Sequence, residues 1–148
     1  MPIPPLNADG LLPFGIHDAT QDEIRECFGV FQQSDRRPRL FAKLAELIDA
    51  MRAGELFESL LIDGSFVTAK FAPNDIDLIG VLKPGHDFER DLPMFQYAVI
   101  SRALLRRRFR FDVLVAKPES ATYTRYVDFF SRVREAPELR KGLVRLRL

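Results

Sequence analysis

The chain has 148 residues, of which 47% are hydrophobic and 29% are charged, an ordinary composition for one globular domain with a buried core. Its formal net charge of +1 excludes a global field that would draw it onto nucleic acid, and no stretch predicts a membrane span or a signal peptide. The single cysteine, Cys27, excludes an internal disulfide framework, and with only two histidines, His17 and His86, a zinc site is not expected.

The first third of the chain predicts an extended arm followed by two helices. Four prolines make residues 1–19 irregular, but the apolar stretch 11–17 predicts that this arm packs on the single domain of residues 1–148. Thr20 and Glu23 have the spacing of a capping box, so a short helix is expected to begin there. The strongest helix is predicted over 37–53, where apolar residues recur at helical spacing, with Gly54 as its stop.

Two short apolar stretches in the middle of the chain predict strands. Residues 60–62 precede Gly64 and Ser65, which indicates a buried strand that ends in a glycine turn. One or two helical turns are expected over 65–70, before the proline at position 73. A second strand is predicted over 76–82, closed by a Lys-Pro-Gly turn.

The second half of the chain predicts two more helices and two more strands. A helix with Pro93 in its first turn and arginines at its end precedes a strand over 109–117. Ser120 is the predicted cap of a last helix, and the alternating apolar and basic residues of 142–148 indicate an edge strand. This order predicts an α+β or α/β domain in which helices cover a small mixed sheet.

Three aspartates lie in or next to the predicted strands. Asp75 and Asp77 are two residues apart at the start of the second strand, so their carboxylates are expected on one face. Because neighbouring carboxylates repel each other, the pair favours a bound cation, and Mg²⁺ or Mn²⁺ together with phosphates suits such oxygen ligands. Asp112 interrupts the apolar third strand and reaches the same site if that strand neighbours the second. Three carboxylates would then hold two cations.

Gly64 and Ser65 predict a phosphate-binding turn. Glycine lets a phosphate approach the backbone closely, and serine adds a hydroxyl donor. A helical turn that begins at Ser65 would also direct free N–H groups toward an anion. Asp63, which precedes the turn, is expected to be structural, with a fourth acid of the site as the alternative.

These residues together resemble the signature of the nucleotidyltransferase superfamily typified by DNA polymerase β. The resemblance rests on an apolar strand, Gly64-Ser65, a nine-residue spacer, Asp75-Ile76-Asp77-Leu78 and the later Asp112. It implies a nucleotidyltransferase fold of the minimal type, with the three aspartates as metal ligands and the Gly-Ser pair on a triphosphate. Lys70, in a region where many minimal members carry Arg-Gly, is expected to contact phosphate as a point charge. The segments 12–17 and 64–70 further resemble a family of short bacterial proteins of this fold, without a known substrate, and that resemblance covers nearly the whole chain.

The resemblance implies a cytoplasmic enzyme that transfers a nucleoside monophosphate from a magnesium–nucleoside triphosphate, such as ATP, to a hydroxyl. The acceptor would be a protein, an RNA or a small molecule. A chain of this length has no obvious second domain to select the acceptor, so a partner protein encoded nearby is expected to supply it. Some minimal members act as antitoxins beside a partner toxin, which adds a toxin–antitoxin role to the expectations.

Two other functions remain open at this point. The chain is alternatively a non-catalytic nucleotide-binding or antitoxin-like module that keeps the fold, although the presence of all three acids argues against decay. An RNA-binding role would use the cluster Arg102, Arg106, Arg107 and Arg108, but the near-zero net charge argues against it. His17 is expected either to be structural or to cover the site from the arm.

Overall fold

Seven strands, five helices and one 3₁₀ turn make up the computed structural model, which describes residues 3–148. The strands are β1 (Ile16–Asp18), β2 (Phe57–Asp63), β3 (Asp77–Leu82), β4 (Asp112–Ala116), β5 (Arg132–Val133), β6 (Ala136–Arg140) and β7 (Leu143–Arg147). The helices are α1 (Gln21–Phe28), α2 (Arg36–Gly54), α3 (Met94–Tyr97), α4 (Arg102–Phe109) and α5 (Ala121–Phe130), and the 3₁₀ turn spans Ser65–Val67. The predicted α+β class is confirmed.

Five of the strands form one mixed sheet in the order β1-β7-β2-β3-β4, while β5 and β6 form a separate hairpin. Strand β2 is antiparallel to both β3 and β7, whereas β3 is parallel to β4 and β1 is parallel to β7. Because β3 and β4 are parallel, the chain needs a long crossover between them, and α3 and α4 lie in it. The end of β2 and the starts of β3 and β4 therefore lie at one end of the sheet.

The two faces of the sheet are covered unequally. One face packs against α1, α2 and α4 and carries the main core, in which Leu47, Ile62 and Leu78 are fully buried. The other face packs against α5 in a smaller core that includes Leu61 and Ile79. Side chains alternate along each strand, so Asp77 lies on the same face as Ile79, the face of the smaller core. We call this the α5 face.

The two predicted helices of the first third are present. Thr20 and Glu23 form the predicted capping box, with the Glu23 N–H donating to the Thr20 hydroxyl and the Thr20 N–H donating to Glu23. In α2, Gly54 is the last helical residue, and Glu55 rather than Gly54 adopts the left-handed conformation that ends the helix. A Cβ at Gly54 would lie 3.0 Å from Val99, so close packing accounts for this glycine. Within residues 3–148, no helix has the length and apolar character needed to cross a membrane.

The prediction of one helix from Pro93 to the arginines was wrong, because the structure has two. Helix α3 ends at Tyr97, and α4 begins after Ser101, whose backbone is extended. The Ser101 hydroxyl accepts a hydrogen bond from the Leu104 N–H at 3.3 Å and so caps a new helix. The sequence pattern did not separate this internal cap from a continuous helix. The β5–β6 hairpin was also not predicted.

The strand predicted over 142–148 is present as β7, but its predicted position at the edge of the sheet was wrong. Strand β7 lies inside the sheet between β1 and β2. Its charge is tolerated there because Arg145 makes a bidentate ion pair with Asp18 of β1, with distances of 2.6 and 2.8 Å. The predicted N-terminal arm thus supplies the edge strand, and Leu12 of the arm is buried. Residues 1 and 2 of that arm lie outside the described residues.

Candidate functional site

The strand register aligns three aspartates across the end of the sheet. Asp77 is paired with Asp63 on β2 and with Asp112 on β4. Strands lie about 4.8 Å apart, and residues in register on neighbouring strands point to the same side of the sheet. The three residues, which we call the acid row, therefore lie side by side on the α5 face. Asp112 neighbours Asp77, as the prediction of a shared site requires, and Asp63 extends the row on the other side.

Gly64 lets the turn after β2 close onto the start of β3. Its φ of +89° is unfavourable for other residues, and a Cβ here would lie 3.0 Å from the backbone nitrogen of Asp77 and 3.2 Å from Asp75 Oδ1. Both the N–H and the hydroxyl of Ser65 donate to Asp75 Oδ1, at 3.3 and 3.0 Å. The Ser65 oxygen in turn accepts from the Asn74 N–H at 3.1 Å. The Ser65 N–H, which was expected to be free, is thus bonded to Asp75, because the antiparallel strands bring the two residues together.

A buried arginine holds the loop that follows this turn. Arg37 of α2 is 3% exposed and donates to four backbone carbonyl oxygens, those of Phe28, Phe66, Thr68 and Lys70, at 2.6 to 3.2 Å. Burial lowers the pKa of its guanidinium. Three of these four carbonyls belong to the segment 64–70, which we call the Gly-Ser loop. Arg37 therefore anchors the Gly-Ser loop to helix α2 and the main core.

Electrostatic repulsion is concentrated at Asp77, the middle of the acid row. Asp77 is half-buried, and burial raises the pKa of its carboxyl group. The negative charges of Asp75 and Asp112 raise the pKa of Asp77 further, while the positive charges of Lys141 and Arg134 lower it. Asp75 is exposed beside it. The site therefore gathers negative charge that a cation would stabilise.

Asp112 is held by an arginine on the outer side of the row. Arg102 of α4 makes a bidentate ion pair with its carboxylate, with distances of 2.6 and 2.8 Å. This ion pair lowers the pKa of Asp112. In this arrangement, no three His, Cys, Asp or Glu side chains of residues 3–148 stand close enough to hold one metal ion together. Participation of Asp112 in a shared cation site thus requires Arg102 to release it.

Asp63 is the most buried member of the row. It is 2% exposed, and burial raises its pKa to about 7, although the charge of Lys141 opposes this. Lys141 Nζ lies 3.3 Å from Asp63 Oδ1, an ion-pair distance, but without the angles of a hydrogen bond, so that this buried oxygen has no hydrogen-bond partner. The register position of Asp63 beside Asp77 agrees with the alternative that Asp63 is a fourth acid of the site.

A cleft of about 880 Å³ opens in front of these residues. One wall contains Asp63, Asp75 and Asp77 with the Gly64–Ser65 turn, and Lys70 lines the cleft from the Gly-Ser loop. The end of α5, the β5–β6 hairpin and Lys141 also line the cleft. Asp112 is not among the residues that line the cleft. The structure therefore brings together all the predicted site residues except Asp112 in one cleft, with Asp112 beside Asp77 at its margin.

The chain was compared with known families and proteins. The sequence profile of a family of unknown function (DUF6932) matches residues 4–147. The chain belongs to this family. A search of curated proteins found no match, and neither did a search of solved structures. Membership in DUF6932 brings no activity with it, so function has to be argued from the site itself.

Sequence reasoning on this DUF6932 member missed three basic residues of the site, Arg37, Arg134 and Lys141. Arg37 gave no signal because a buried arginine in the first turn of an amphipathic helix has the same pattern as an exposed one. Arg134 and Lys141 depend on the hairpin, which was not predicted. The predicted Arg106, Arg107 and Arg108 are exposed on α4. His17 Nε2 lies 2.7 Å from the Pro13 carbonyl, which indicates a structural role.

Proposed function

We propose that this chain is a metal-dependent nucleotidyltransferase of the superfamily typified by DNA polymerase β. It would transfer a nucleoside monophosphate from a nucleoside triphosphate to a hydroxyl group. One observation supports the proposal most strongly. The strand register puts Asp77 beside Asp112, and the Gly64–Ser65 turn brings Asp75 into the cleft that Asp77 also lines. The proposal therefore rests on where these residues lie in the structure as well as on the sequence motif.

The donor set fits a divalent cation. Asp75 and Asp77 both line the cleft, and their carboxylate oxygens are the ligands that Mg²⁺ and Mn²⁺ prefer. Burial and the neighbouring charges of Asp75 and Asp112 raise the pKa of Asp77, and a bound cation would relieve the repulsion between these carboxylates. Asp75 and Asp77, joined by Asp112 once Arg102 releases it, would hold the metal. A bound Mg²⁺ would neutralise phosphate charge and activate the attacking hydroxyl.

The chain's own residues would position the triphosphate. The Gly64–Ser65 turn and Lys70 line the same cleft, and Lys70 supplies a cationic donor to phosphate. The Ser65 hydroxyl donates to Asp75 in this structure and would donate to phosphate once it leaves that carboxylate. The acceptor oxygen would form a bond to the α-phosphorus in line with the breaking bond to the bridging oxygen. Pyrophosphate leaves, and the hydroxyl proton passes to a carboxylate of the site. Positioning and charge neutralisation supply most of the rate acceleration in such reactions.

The test is Asp77→Asn, assayed by transfer from each α-labelled nucleoside triphosphate with magnesium and cell lysate as the source of acceptor. The amide keeps the shape of the side chain but removes the charge at the centre of the row, so transfer should fall by a factor of about 100 or more. Asp49→Asn, at an exposed position on α2, is the matched control and should retain full transfer. Transfer that survives in a folded Asp77→Asn protein would contradict the proposed function.

A non-catalytic nucleotide-binding module is the second candidate, and the ion pair between Arg102 and Asp112 favours it, because it occupies one of the three acids. Such a module would be stabilised against heat by magnesium–ATP without forming a labelled product. We further propose a cytoplasmic location and a partner protein encoded nearby, as in antitoxin-like members. Co-purification of that partner from the native host, with and without nucleotide, tests this part.

A further inference from the structure

Two basic side chains, Arg134 and Lys141, line the cleft together with Asp63 and Asp77 of the acid row. The β5–β6 hairpin places Arg134 at its tip, and Lys141 follows directly after β6. This hairpin wall takes no part in the motif of Gly64, Ser65 and the aspartates.

We propose that Lys141 and Arg134 bind the polyphosphate chain of the nucleotide, with Lys141 as the stronger contact. The inference rests on the proposed function and deepens it, because it assigns the wall that would hold the β- and γ-phosphates. The Gly64–Ser65 turn and the hairpin would then both contact the polyphosphate chain. Lysine and arginine are both suited to phosphate, as a point charge and as a planar fork respectively.

The position of Lys141 is the first argument. Its ammonium lies 3.3 Å from Asp63, the residue that directly precedes Gly64. A phosphate that approaches the backbone at Gly64 and Ser65 therefore comes within reach of Lys141. The side chain is only 17% exposed, so its charge is weakly screened by solvent. An ammonium group has three N–H donors, so Lys141 can contact a phosphate while it stays beside Asp63.

The backbone around Lys141 is fixed, which favours a preorganised contact. The Lys141 N–H donates to the Ser131 carbonyl at 2.8 Å and closes the base of the hairpin onto the end of α5. At the next residue, Gly142, a Cβ would lie 2.8 Å from His17 Nε2 and would clash with the Pro13 carbonyl of the arm. Only glycine permits this crossing. The arm thus holds the strand that presents Lys141.

The other cations of the cleft are less suited to this role. Arg132 makes an ion pair of 2.6 Å with Asp128 of α5, which draws its guanidinium to the helix. Lys70 lies on the Gly-Ser loop, where the proposed function already gives it a phosphate contact. Arg134, by contrast, makes no ion pair with any residue of the described chain and sits at the free tip of the hairpin. It would engage the phosphates farthest from the acid row.

The experiment measures binding of inorganic tripolyphosphate and of ATP, each at constant magnesium, by isothermal titration calorimetry of the full chain. Lys141→Met should weaken both by about ten- to a hundredfold, the range expected for a lost hydrogen bond to a charged group. Arg134→Met, at an exposed position, should weaken them by about two- to fivefold. Arg140→Met is the matched control, since Arg140 is exposed on the same hairpin and does not line the cleft.

A second pair of variants guards against a folding defect, because Lys141→Met leaves Asp63 buried without its cation. Asp63→Asn removes that charge, so Asp63→Asn with Lys141→Met is compared with Asp63→Asn alone and should show the same loss of tripolyphosphate binding. Equal affinities of the Lys141→Met and Arg140→Met proteins would overturn the proposal. So would the absence of tripolyphosphate binding in the wild-type protein.

The outcome separates this inference from the proposed function. Tripolyphosphate binding that depends on Lys141, in a protein without Asp77-dependent transfer, supports the polyphosphate wall and contradicts the transferase. If transfer depends on Asp77 but Lys141→Met binds tripolyphosphate as the wild type does, the transferase is supported and the role of Lys141 in polyphosphate binding is contradicted.

Discussion

Two arginines hold the two sides of the site, and they do so in opposite ways. On one side, Arg37 is buried and donates to four backbone carbonyls of the Gly-Ser loop and α1. On the other side, Arg102 is exposed on α4 and donates to the carboxylate of Asp112 at the start of β4. The first arginine fixes backbone, and the second engages a side chain that the proposed function needs.

The buried Arg37 keeps its hydrogen-bond partners, whereas the exposed Arg102 can exchange its partner. A buried guanidinium cannot leave its carbonyls without exposing them unsatisfied, so the Gly-Ser loop keeps its shape. An exposed ion pair contributes little and exchanges readily with water or with other ions. The Gly-Ser loop should therefore behave as a rigid wall of the cleft, whereas the position of Asp112 should respond to its partner.

The largest effect that tests this comparison is expected from Arg37→Met. Removal of the guanidinium leaves the buried carbonyls of Phe28 and Phe66 without donors, at a cost of about 1–3 kcal/mol each. The free energy of unfolding should fall by roughly 2–5 kcal/mol in urea denaturation. Arg36→Met is the adjacent control: Arg36 is exposed, its bond goes to the Asn74 side chain, and a change within about 0.5 kcal/mol is expected. Equal losses in the two variants would contradict the structural role of Arg37.

Local patterns accounted for much of the fold. The capping box at Thr20, the apolar stripe of α2 and the strands on either side of the Gly64–Ser65 turn all follow from short-range spacing. The prediction that Asp112 reaches the site of Asp77 depended on the third predicted strand lying beside the second, and the parallel pairing of β3 with β4 meets that condition.

The remaining features depend on contacts distant in sequence. Strand β7 lies inside the sheet because Asp18, 127 residues away, neutralises Arg145. Arg37 and Lys141 become part of the site only when α2 and the hairpin have packed, and neither residue carries a local signal. The pairing of Arg102 with Asp112 depends likewise on how α4 packs against β4. The local sequence pattern therefore predicts the helices, the strands and the acidic residues of the site. It does not predict the basic residues that shift the pKa values of those acids.

A smaller effect is expected at the centre of the site, from Asp63→Asn. The pKa of Asp63 in the folded protein is raised from 3.8 to about 7, so the folded state binds the proton more tightly than the unfolded state. The ionised carboxylate consequently costs stability, a cost that is absent below pH 3.8, grows as pH rises, and is complete above about pH 7. Asparagine cannot ionise, so the variant should be more stable than the wild type at pH 8 and not at pH 4.

The difference at pH 8 should be about 1–3 kcal/mol, less than the full pKa shift corresponds to, because Lys141 loses its partner in the variant. Chemical denaturation of both proteins at several pH values between 4 and 8 measures it. Asp49→Asn serves as the control at an exposed site and should follow the wild type throughout. A difference between Asp63→Asn and wild type that stays constant with pH would contradict the raised pKa of Asp63.

The smallest effect, and the sharpest test of the comparison, is expected from Arg102→Ala. An exposed ion pair contributes about 0.2–1 kcal/mol, so the loss of stability should stay below about 1 kcal/mol at pH 7. The pair lowers the pKa of Asp112, so its contribution is present above the ordinary value of 3.8 and is lost as pH falls through the lower folded-state pKa.

The same variant releases the Asp112 carboxylate, and the affinity for Mn²⁺ should rise by about two- to fivefold, the factor that corresponds to the lost pair. Arg107→Ala, exposed on the same helix, should change neither quantity. A drop in Mn²⁺ affinity, or a loss of stability as large as that of Arg37→Met, would place Arg102 with the structural arginine and leave Asp112 outside the cation site.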